Sequence, residues 1–379
     1  MFLIVGGGSI GRRHLGNLIE AGVREITVVE PREDRRNEAQ EHAKRVAGAN
    51  TLALKLVPSS DEAYAGGARF EAAVIAAPPR FHSAEMRRAA QAGVPVFCEK
   101  PLATDHEPWD ELKNAVALAE ERTKVGMVGY NYRFNLHLQQ VRKLIREGAV
   151  GRVPSVRGIF SQNLRDWHPW EGLNWFMASK AQGGGVLLEE THLVDICRWL
   201  FGEITQVMAF NGTISSLKQE PSFDTDDLAE IIAHFESGAV GSLHMDLFGR
   251  YHQKELEVIG EEATLFWTYD GTDIESNGIQ IWKGKRAKLG PDFSRRQPEK
   301  TIPTDWEVRN NMYRDQIRYF MESSKAGKHL RDDVPTLRDG LQTIAVVRAV
   351  RQSAQSKKLE EVERIVGAKL SPQQKVVTA

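Results

Sequence analysis

Two side chains of this sequence have the chemistry to hold an alcohol oxygen and move its proton. Lys100 stands two residues after the apolar run Val94–Cys98, and His192 lies in an apolar stretch that also contains Glu189. A lysine can donate a charged hydrogen bond to a hydroxyl oxygen, and an imidazole can exchange a proton with it. Each has an ordinary alternative, since most lysines are solvent-exposed and most buried histidines are structural.

Two carboxylates accompany His192 at regular spacing. Glu189, His192 and Asp195 recur every three residues within Gly183–Asp195. On one continuous helix this spacing places all three on the same side. A carboxylate beside an imidazole raises its pKa and fixes its orientation, so Glu189 or Asp195 is expected to assist His192.

A loop rich in tryptophan precedes this helix. Three of the chain's eight tryptophans fall within residues 167–175, among them Trp167 and Trp170 with His168 between them. Aromatic faces bind the C–H patches of sugar rings and a histidine can bond a hydroxyl, so these three residues are predicted to contact substrate. The alternative is a loop fixed to its domain by buried indoles.

The elements that must position these side chains alternate between strand and helix over the first 128 residues. Buried strands are predicted at Met1–Val5, Ile26–Val29, Phe70–Ala77, Val94–Cys98 and Val125–Val128, with helices between them. This alternation is typical of an α/β fold with a doubly wound parallel sheet. Asn131 and Arg133 follow the last of these strands, so they are expected to reach the substrate, although Arg133 could instead hold the interdomain hinge.

A glycine-rich turn follows the first strand. Gly6, Gly8 and Gly11 fit the pattern G-x-G-x-x-G, and the strand before it and helix after it favour a dinucleotide site over an ordinary tight turn. Gly6 would allow the tight turn, and Gly11 would let helix and strand pack closely. Gly8 would let a pyrophosphate reach the helix N-terminus, where Ser9 and Ile10 are also expected to contact it.

An acidic residue at the end of the second strand bears on the choice of cofactor. Glu30 can accept hydrogen bonds from an adenosine ribose and repels a 2′-phosphate, which favours NAD over NADP, whereas Arg32 or Arg35 could hold that phosphate. Further cofactor contacts are expected after the third and fourth predicted strands, at Ala77, Pro78, His82, Glu99 and Lys100. No C-x-x-C pair is present, and no metal is expected.

Beyond Val128 the pattern changes to alternating strands joined by short turns. They are predicted at Val153–Phe160, Val207–Ile214, Leu228–Phe235, Val240–Leu247, Leu256–Ile259, Leu265–Tyr269 and Ile279–Trp282. We therefore predict an NAD-binding Rossmann domain over residues 1–128 and an α+β domain with a large open antiparallel sheet, for substrate and oligomerisation, over 129–305. Helices over 306–356 would return to the first domain, followed by a C-terminal extension over 357–379.

Four motifs together resemble one known family. The glycine pattern, Pro78-Pro79-Arg80-Phe81-His82, Glu99-Lys100-Pro101 and Gly129-Tyr130-Asn131-Tyr132-Arg133-Phe134 are similar to those of the glucose-fructose oxidoreductase, inositol dehydrogenase and rhizopine-catabolism (Gfo/Idh/MocA) family. The resemblance, over about residues 1–355, implies that Lys100 is catalytic and contacts substrate, that His192 is the acid/base, and that the open sheet joins a homodimer or homotetramer.

The resemblance departs from the family pattern at one position. In the family an aspartate stands four residues before the catalytic histidine, but this chain has Leu188 there. The assisting carboxylate is then Glu189, Asp195 or neither. We favour Glu189, because it precedes His192 as the family's aspartate does.

The expected function is hydride transfer between NAD and a secondary hydroxyl of a sugar, sugar derivative or cyclitol. An NAD-dependent glycosidase or lyase that oxidises its sugar transiently, or a non-catalytic NAD-binding regulator, is the alternative. The net charge, 50 basic against 51 acidic residues, offers no general attraction to nucleic acid or to a membrane. Two cysteines and no long apolar run are typical of a cytoplasmic protein.

Overall fold

A six-stranded parallel sheet organises the N-terminal part of the chain. In the computed structural model, which describes residues 1–167, 176–269, 277–283, 300–303 and 307–365, its strands are β1 (Phe2–Val5), β2 (Glu25–Val29), β3 (Ala53–Val57), β4 (Ala72–Ile75), β5 (Val96–Cys98) and β6 (Gly126–Val128). The intervening helices are α1 (Ser9–Glu20), α2 (Glu33–Ala47), α3 (Ser60–Tyr64), α4 (His82–Gln91) and α5 (Trp109–Thr123).

The strand order is β3-β2-β1-β4-β5-β6, which confirms the doubly wound prediction. The order reverses between β1 and β4, and ligands of such sheets bind at the carboxyl ends of the strands beside that point. The sequence prediction missed β3. In this edge strand exposed and partly buried residues alternate, with Lys55 at its centre, so it lacks the continuous buried apolar run of β1.

A nine-stranded sheet dominates the second part of the chain. Its strands are β7 (Ser155–Asn163), β8 (Ile204–Gly212), β9 (Leu228–Phe235), β10 (Val240–Asp246), β11 (Phe248–Ile259), β12 (Thr264–Thr268), β13 (Gly278–Trp282), β14 (Lys300–Pro303) and β15 (Glu360–Glu361). The order is β14-β13-β12-β11-β7-β10-β9-β8-β15. All neighbouring pairs are antiparallel except β7 and β10, so the predicted antiparallel sheet is correct apart from one parallel pair.

The helices of this second part are α6 (Leu136–Arg146), α7 (Leu164–Trp167), α8 (Val186–Glu189), α9 (Thr191–Phe201), α10 (Glu307–Ala326) and α11 (Leu337–Ser356). The last two link the two sheets: α10 packs on α1, while α11 contacts both α5 and β8. A capping box between Thr336 and Asp339 fixes the start of α11. Both helices therefore contact elements of the parallel-sheet part of the chain.

Within the described ranges, no helix combines the length and apolar character required to cross a bilayer.

Candidate active site

The turn between β1 and α1 has the shape that a pyrophosphate requires. Gly6 has φ +105°, and a Cβ there would lie 2.5 Å from the carbonyl oxygen of Ala76. A Cβ on Gly11 would lie 1.9 Å from the oxygen of Gly6. At Gly8 the nearest atom would be 3.6 Å away, on Arg35, so the chain leaves open space there in front of the α1 N-terminus.

The end of β2 presents a fixed carboxylate beside this turn. Glu30 accepts hydrogen bonds from the backbone N–H groups of Gly7, at 2.8 Å, and Arg32, at 3.0 Å. The Arg32 guanidinium pairs instead with the exposed Asp34. The residues present therefore fit NAD: open space at Gly8 for its pyrophosphate and a carboxylate for its adenosine ribose, with Arg32 engaged elsewhere.

The loops after β4 and β5 are fixed to each other by a buried histidine. One ring nitrogen of His82 lies 2.7 Å from the carbonyl oxygen of Ala77, which stands beside Pro78, and the other lies 2.8 Å from that of Pro101. The predicted contact of His82 with the cofactor is wrong, because its side chain is fully buried and both nitrogens face the backbone. Its role is to hold the two loops together.

Glu99 is held in a similar way. Its Oε1 lies 2.6 Å from Nε2 of His14 on α1, and its Oε2 accepts a hydrogen bond from the backbone N–H of Lys100 at 3.1 Å. These contacts set the direction in which Lys100 leaves β5. Cofactor contacts of Glu99, Ala77 and Pro78 remain predictions.

Lys100 crosses from the first sheet to the second domain. Its Nζ donates to the carbonyl oxygen of Glu189 at 3.0 Å and lies 2.8 Å from the carboxylate oxygen Oε1 of the same residue. Burial lowers the pKa of Lys100, but the Glu189 carboxylate more than offsets this and the pKa is raised. The ammonium group is therefore charged at neutral pH, and because it has three donors one remains for a ligand.

The segment before His192 is not the continuous helix that the sequence predicted. Helix α8 ends at Glu189 and α9 begins at Thr191, with Glu190 at the junction. The expectation that Glu189, His192 and Asp195 share one helix face is therefore wrong. Glu189 points to Lys100, and no contact joins it to His192 in the described structure.

His192 lies at the start of α9 between two tyrosine rings. The ring centroids of Tyr132 and Tyr130 are 4.9 and 5.8 Å from that of the imidazole, both edge to face. Burial, followed by the positive charges of Lys100 and Lys254, holds the pKa of His192 well below its ordinary value. The imidazole is therefore neutral at neutral pH and can accept a proton.

Asp195 and Arg133 belong to a buried ion network away from His192. Arg133 donates to both carboxylate oxygens of Asp195, at 2.9 and 2.6 Å, and to Asp339 of α11 at 3.1 Å. Asp195 is 0% exposed and Arg133 is 3% exposed, and the two bind each other, so a contact of either side chain with substrate stays a prediction. Asn131 is buried as well, and its contact with substrate likewise stays a prediction. Through Asp195 and Asp339 the Arg133 side chain connects α9 with α11.

The predicted sugar-binding loop is mostly outside the described residues. His168 and Trp170 lie in the range 168–175, and only the backbone of Trp167 is described, at the end of α7. Their contacts with substrate remain predictions. Among the residues that are described, no cluster of histidine, cysteine and carboxylate side chains could hold a metal ion.

The sequence reasoning missed a second buried lysine and its partner. Lys254 of β11 donates to both carboxylate oxygens of Glu190, at 3.0 and 3.1 Å. The prediction began this strand at Leu256, after Lys254, and gave Glu190 no role. The only signal was the apparent excess of two consecutive glutamates in an otherwise apolar stretch.

Comparison with known proteins identifies the family. Residues 1–132 match the sequence model of the Gfo/Idh/MocA oxidoreductase family with an NAD-binding Rossmann fold, and residues 138–266 match the Gfo/Idh/MocA C-terminal domain. The two matches cover both parts of the site, including Lys100 and His192. The chain therefore belongs to the Gfo/Idh/MocA oxidoreductase family, and its first domain is an NAD-binding Rossmann domain.

The relatives include both a dehydrogenase and a hydratase. The chain is 31% identical to levoglucosan dehydrogenase of Pseudarthrobacter phenanthrenivorans over 222 residues, 52% of this chain and 55% of that one. It is 26% identical to a 2,7-anhydro-N-acetylneuraminate hydratase of Mediterraneibacter gnavus over 44% and 42% of the two chains. The aligned part thus spans about half the length of these relatives.

Two further matches extend over nearly the whole chain. Myo-inositol 2-dehydrogenase of Thermotoga maritima is 22% identical over 96% of this chain and 99% of its own. A solved structure of levoglucosan dehydrogenase with NADH and levoglucosan superposes with a TM-score of 0.77, at 23% identity and with 96% and 99% of the two chains covered. At this identity the superposition establishes the fold.

Proposed function

We propose that this protein is an NAD-dependent oxidoreductase that transfers a hydride between nicotinamide and a secondary hydroxyl of a sugar, sugar derivative or cyclitol. The observation that carries the proposal is the meeting of Lys100, which leaves the NAD-binding sheet, with the segment of the second domain that bears His192. Glu189 joins the two. NAD, when bound, supplies the carbon centre that accepts or returns the hydride.

Lys100 holds the reacting oxygen. Two of its interactions are with Glu189, and the third ammonium N–H can donate to the alcohol oxygen. As the hydroxyl loses its proton, negative charge develops on that oxygen and the charged hydrogen bond strengthens. Because the ammonium group is fixed before substrate arrives, little reorganisation is needed at the moment of reaction.

His192 moves the proton. Its ring is neutral, so in the oxidative direction it can take the hydroxyl proton as a general base. In the reductive direction the same nitrogen returns a proton to the carbonyl oxygen. The tyrosine edges of Tyr130 and Tyr132 restrict the rotation of the ring and keep it in place.

The charge balance of the site favours an uncharged substrate. The two lysines beside His192, Lys100 and Lys254, are each paired with a glutamate, Glu189 and Glu190 respectively. These four described residues sum to zero charge. A neutral polyol needs no counter-ion there, and the named substrates of two relatives, levoglucosan and myo-inositol, belong to this chemical class.

The cofactor-binding set of the proposal comprises Gly6, Gly8, Ser9, Ile10, Gly11, Glu30, Ala77, Pro78, Glu99 and Lys100. NAD is preferred to NADP because the Glu30 carboxylate would face a 2′-phosphate. The substrate set comprises Lys100 and His192, with Trp167, His168 and Trp170 as predicted contacts.

The partner in assembly is proposed to be a second copy of this chain. On the open face of the large sheet Met208 and Phe210 of β8 and Ile232 of β9 are each between 44% and 51% exposed, and Met208 lies opposite Ile232. Adjacent exposed apolar side chains of this size are typical of an interface. Phe210→Asp should lower the mass measured by light scattering, whereas Leu136→Asp, on the exposed face of α6, should not.

A second candidate function is supported by the hydratase relative. A redox-neutral enzyme could use the same lysine and histidine to oxidise its sugar transiently and then restore the hydride. This chemistry would consume substrate without net formation of NADH.

Absorbance of NADH decides between the two candidates. The protein is mixed with NAD and a panel of anhydrosugars, inositols and aminosugars, and each mixture is also examined for product by mass spectrometry. The oxidoreductase proposal predicts NADH in proportion to product. Product without NADH would favour the second candidate, and neither product nor NADH across the panel would contradict both.

A further inference from the structure

The Lys254–Glu190 ion pair lies beside the site and has no role in the reaction as described so far. Lys254 is 8% exposed and Glu190 is 2% exposed, and the lysine contacts both carboxylate oxygens. Its ammonium nitrogen also lies 4.2 Å from the ring centroid of Phe160, its cross-strand neighbour on β7. Two buried charges are costly to desolvate, so their contribution to stability alone is a weak reason for their presence.

The pair fixes the backbone that carries His192. Glu190 stands at the junction of α8 and α9, two residues before His192, and its N–H donates to the carbonyl oxygen of Val186 at 2.8 Å. Its own carbonyl oxygen accepts from the N–H of Leu193 at 2.9 Å. Binding of its side chain to β11 therefore ties the start of α9 to the large sheet, while the preceding residue, Glu189, ties the same junction to Lys100 after β5.

The same lysine brings a second positive charge to the rings around His192: its ammonium nitrogen lies on Phe160, whose ring is 5.8 Å from that of Tyr132, which contacts the imidazole. Among the described residues, the groups facing the imidazole are Lys100 after β5, Lys254 on β11, the glutamates bound to them, and the phenols of Tyr130 and Tyr132. The two glutamates are each held by their own lysine, so no free carboxylate faces the ring to stabilise its protonated form.

We propose that Lys254 is a positioning residue for His192: through Glu190 it fixes the start of α9, and its ammonium group is held on the cluster of rings, Phe160 and Tyr132, that contacts the imidazole. The inference rests on the proposed function for its catalytic meaning. The effect on His192 follows from contacts within the protein and can be measured without any substrate.

Removal of the Lys254 charge tests the proposal without any substrate. The protein is labelled with ¹³C-histidine and saturated with NAD, and the signal of His192 among the eleven histidines is identified by its loss in His192→Gln. In Lys254→Met the pKa of His192 should rise by about one unit, a roughly tenfold increase in the protonated fraction at pH values above the pKa, because a repelling positive charge is gone. Lys254→Arg should restore the wild-type titration.

Two matched variants separate charge from general disturbance. Lys113→Met removes a surface lysine paired with Asp110 and should leave the His192 signal unchanged. Glu190→Gln keeps the Lys254 charge but removes its partner, so the pKa of His192 should stay at or below the wild-type value. A rise in Glu190→Gln equal to that in Lys254→Met would show that disturbance of the junction alone is responsible and would overturn the electrostatic part.

Kinetics provide the second readout once a substrate is identified. Because the base must be unprotonated, the acid limb of kcat/KM in Lys254→Met should move to higher pH with the His192 titration. An unchanged titration in a folded, NAD-binding Lys254→Met protein would refute the proposal. If that variant does not fold, Lys254→Arg and Glu190→Gln are measured instead. Both keep a positive charge at position 254, so a His192 pKa above the wild-type value in either variant would refute the proposal. Absence of any polyol oxidation by the wild type would instead contradict the proposed function and leave the NMR result standing.

Discussion

Replacing Glu189 by glutamine should move the alkaline limb of the pH–rate profile to lower pH. Lys100 has to be protonated to donate to the substrate oxygen, so activity is lost as the pH rises through its pKa. In the wild type the Glu189 carboxylate, 2.8 Å from Nζ, raises that pKa against the opposing effect of burial. With a neutral amide, burial is opposed only by the weaker effects of the Glu190 and Glu99 carboxylates, and the ammonium group should lose its proton at a lower pH.

The size of the shift follows from the geometry of the pair. A buried opposite charge in direct contact typically displaces a pKa by about one to three units, or about 1.4 to 4 kcal/mol. Lys100 and Glu189 are both largely shielded from solvent, which places the expected shift inside that range rather than below it. The carbonyl oxygen of residue 189 still accepts from Nζ, so the side chain should keep its position while its charge becomes easier to lose.

The assay is the pH dependence of kcat/KM for a substrate identified from the panel, with NAD saturating. In Glu189→Gln the alkaline limb should move to lower pH by at least about one unit, and the affinity for NAD should be unchanged. Glu363→Gln, which removes a carboxylate from the exposed Lys113, is the matched control and should show no displacement. An alkaline limb at the wild-type position in Glu189→Gln would refute the assignment of the charged donor to Lys100.

Three further results are expected. Lys100→Ala or His192→Ala should lower kcat by roughly 10²-fold or more in steady-state kinetics while calorimetry shows that NAD still binds, since one general acid or base is worth about 10² to 10⁴. Calorimetry should also give tighter binding of NAD than of NADP, and Glu30→Ala should narrow the difference because the repelling carboxylate is gone. Asp195→Asn should destabilise the fold by about 3–5 kcal/mol in denaturant unfolding, because Arg133 loses its bidentate partner in a buried site.

The sequence was sufficient for five of the six strands of the first domain's sheet, all but β3. Continuous apolar strands such as β1, glycines at fixed spacing and Glu30 at the end of β2 are local signals, and each follows from contacts within a short stretch of chain. Lys100 was predicted as a site residue because it stands two residues after the end of β5, at the edge of the sheet where ligands of such folds bind.

The arrangement around His192 was beyond that reasoning because its determinants are distant in sequence. The helix breaks at Glu190, whose side chain binds Lys254, 64 residues later. Asp195 has the spacing of a helper for His192, yet Arg133, 62 residues earlier, takes both of its oxygens. Regular spacing predicts which side chains are neighbours only while the helix continues. The partner of a buried charged side chain is set by the tertiary fold, which the local sequence does not show.

A crystal structure of the protein with NAD and its polyol would show whether Lys100 and His192 both bind the reacting oxygen. The oxygen of the reacting carbinol should lie about 3 Å from both Nζ of Lys100 and a ring nitrogen of His192, with the pyrophosphate of NAD at Gly8. A substrate oxygen outside hydrogen-bond distance of both side chains, with NAD bound at the glycine turn, would contradict it.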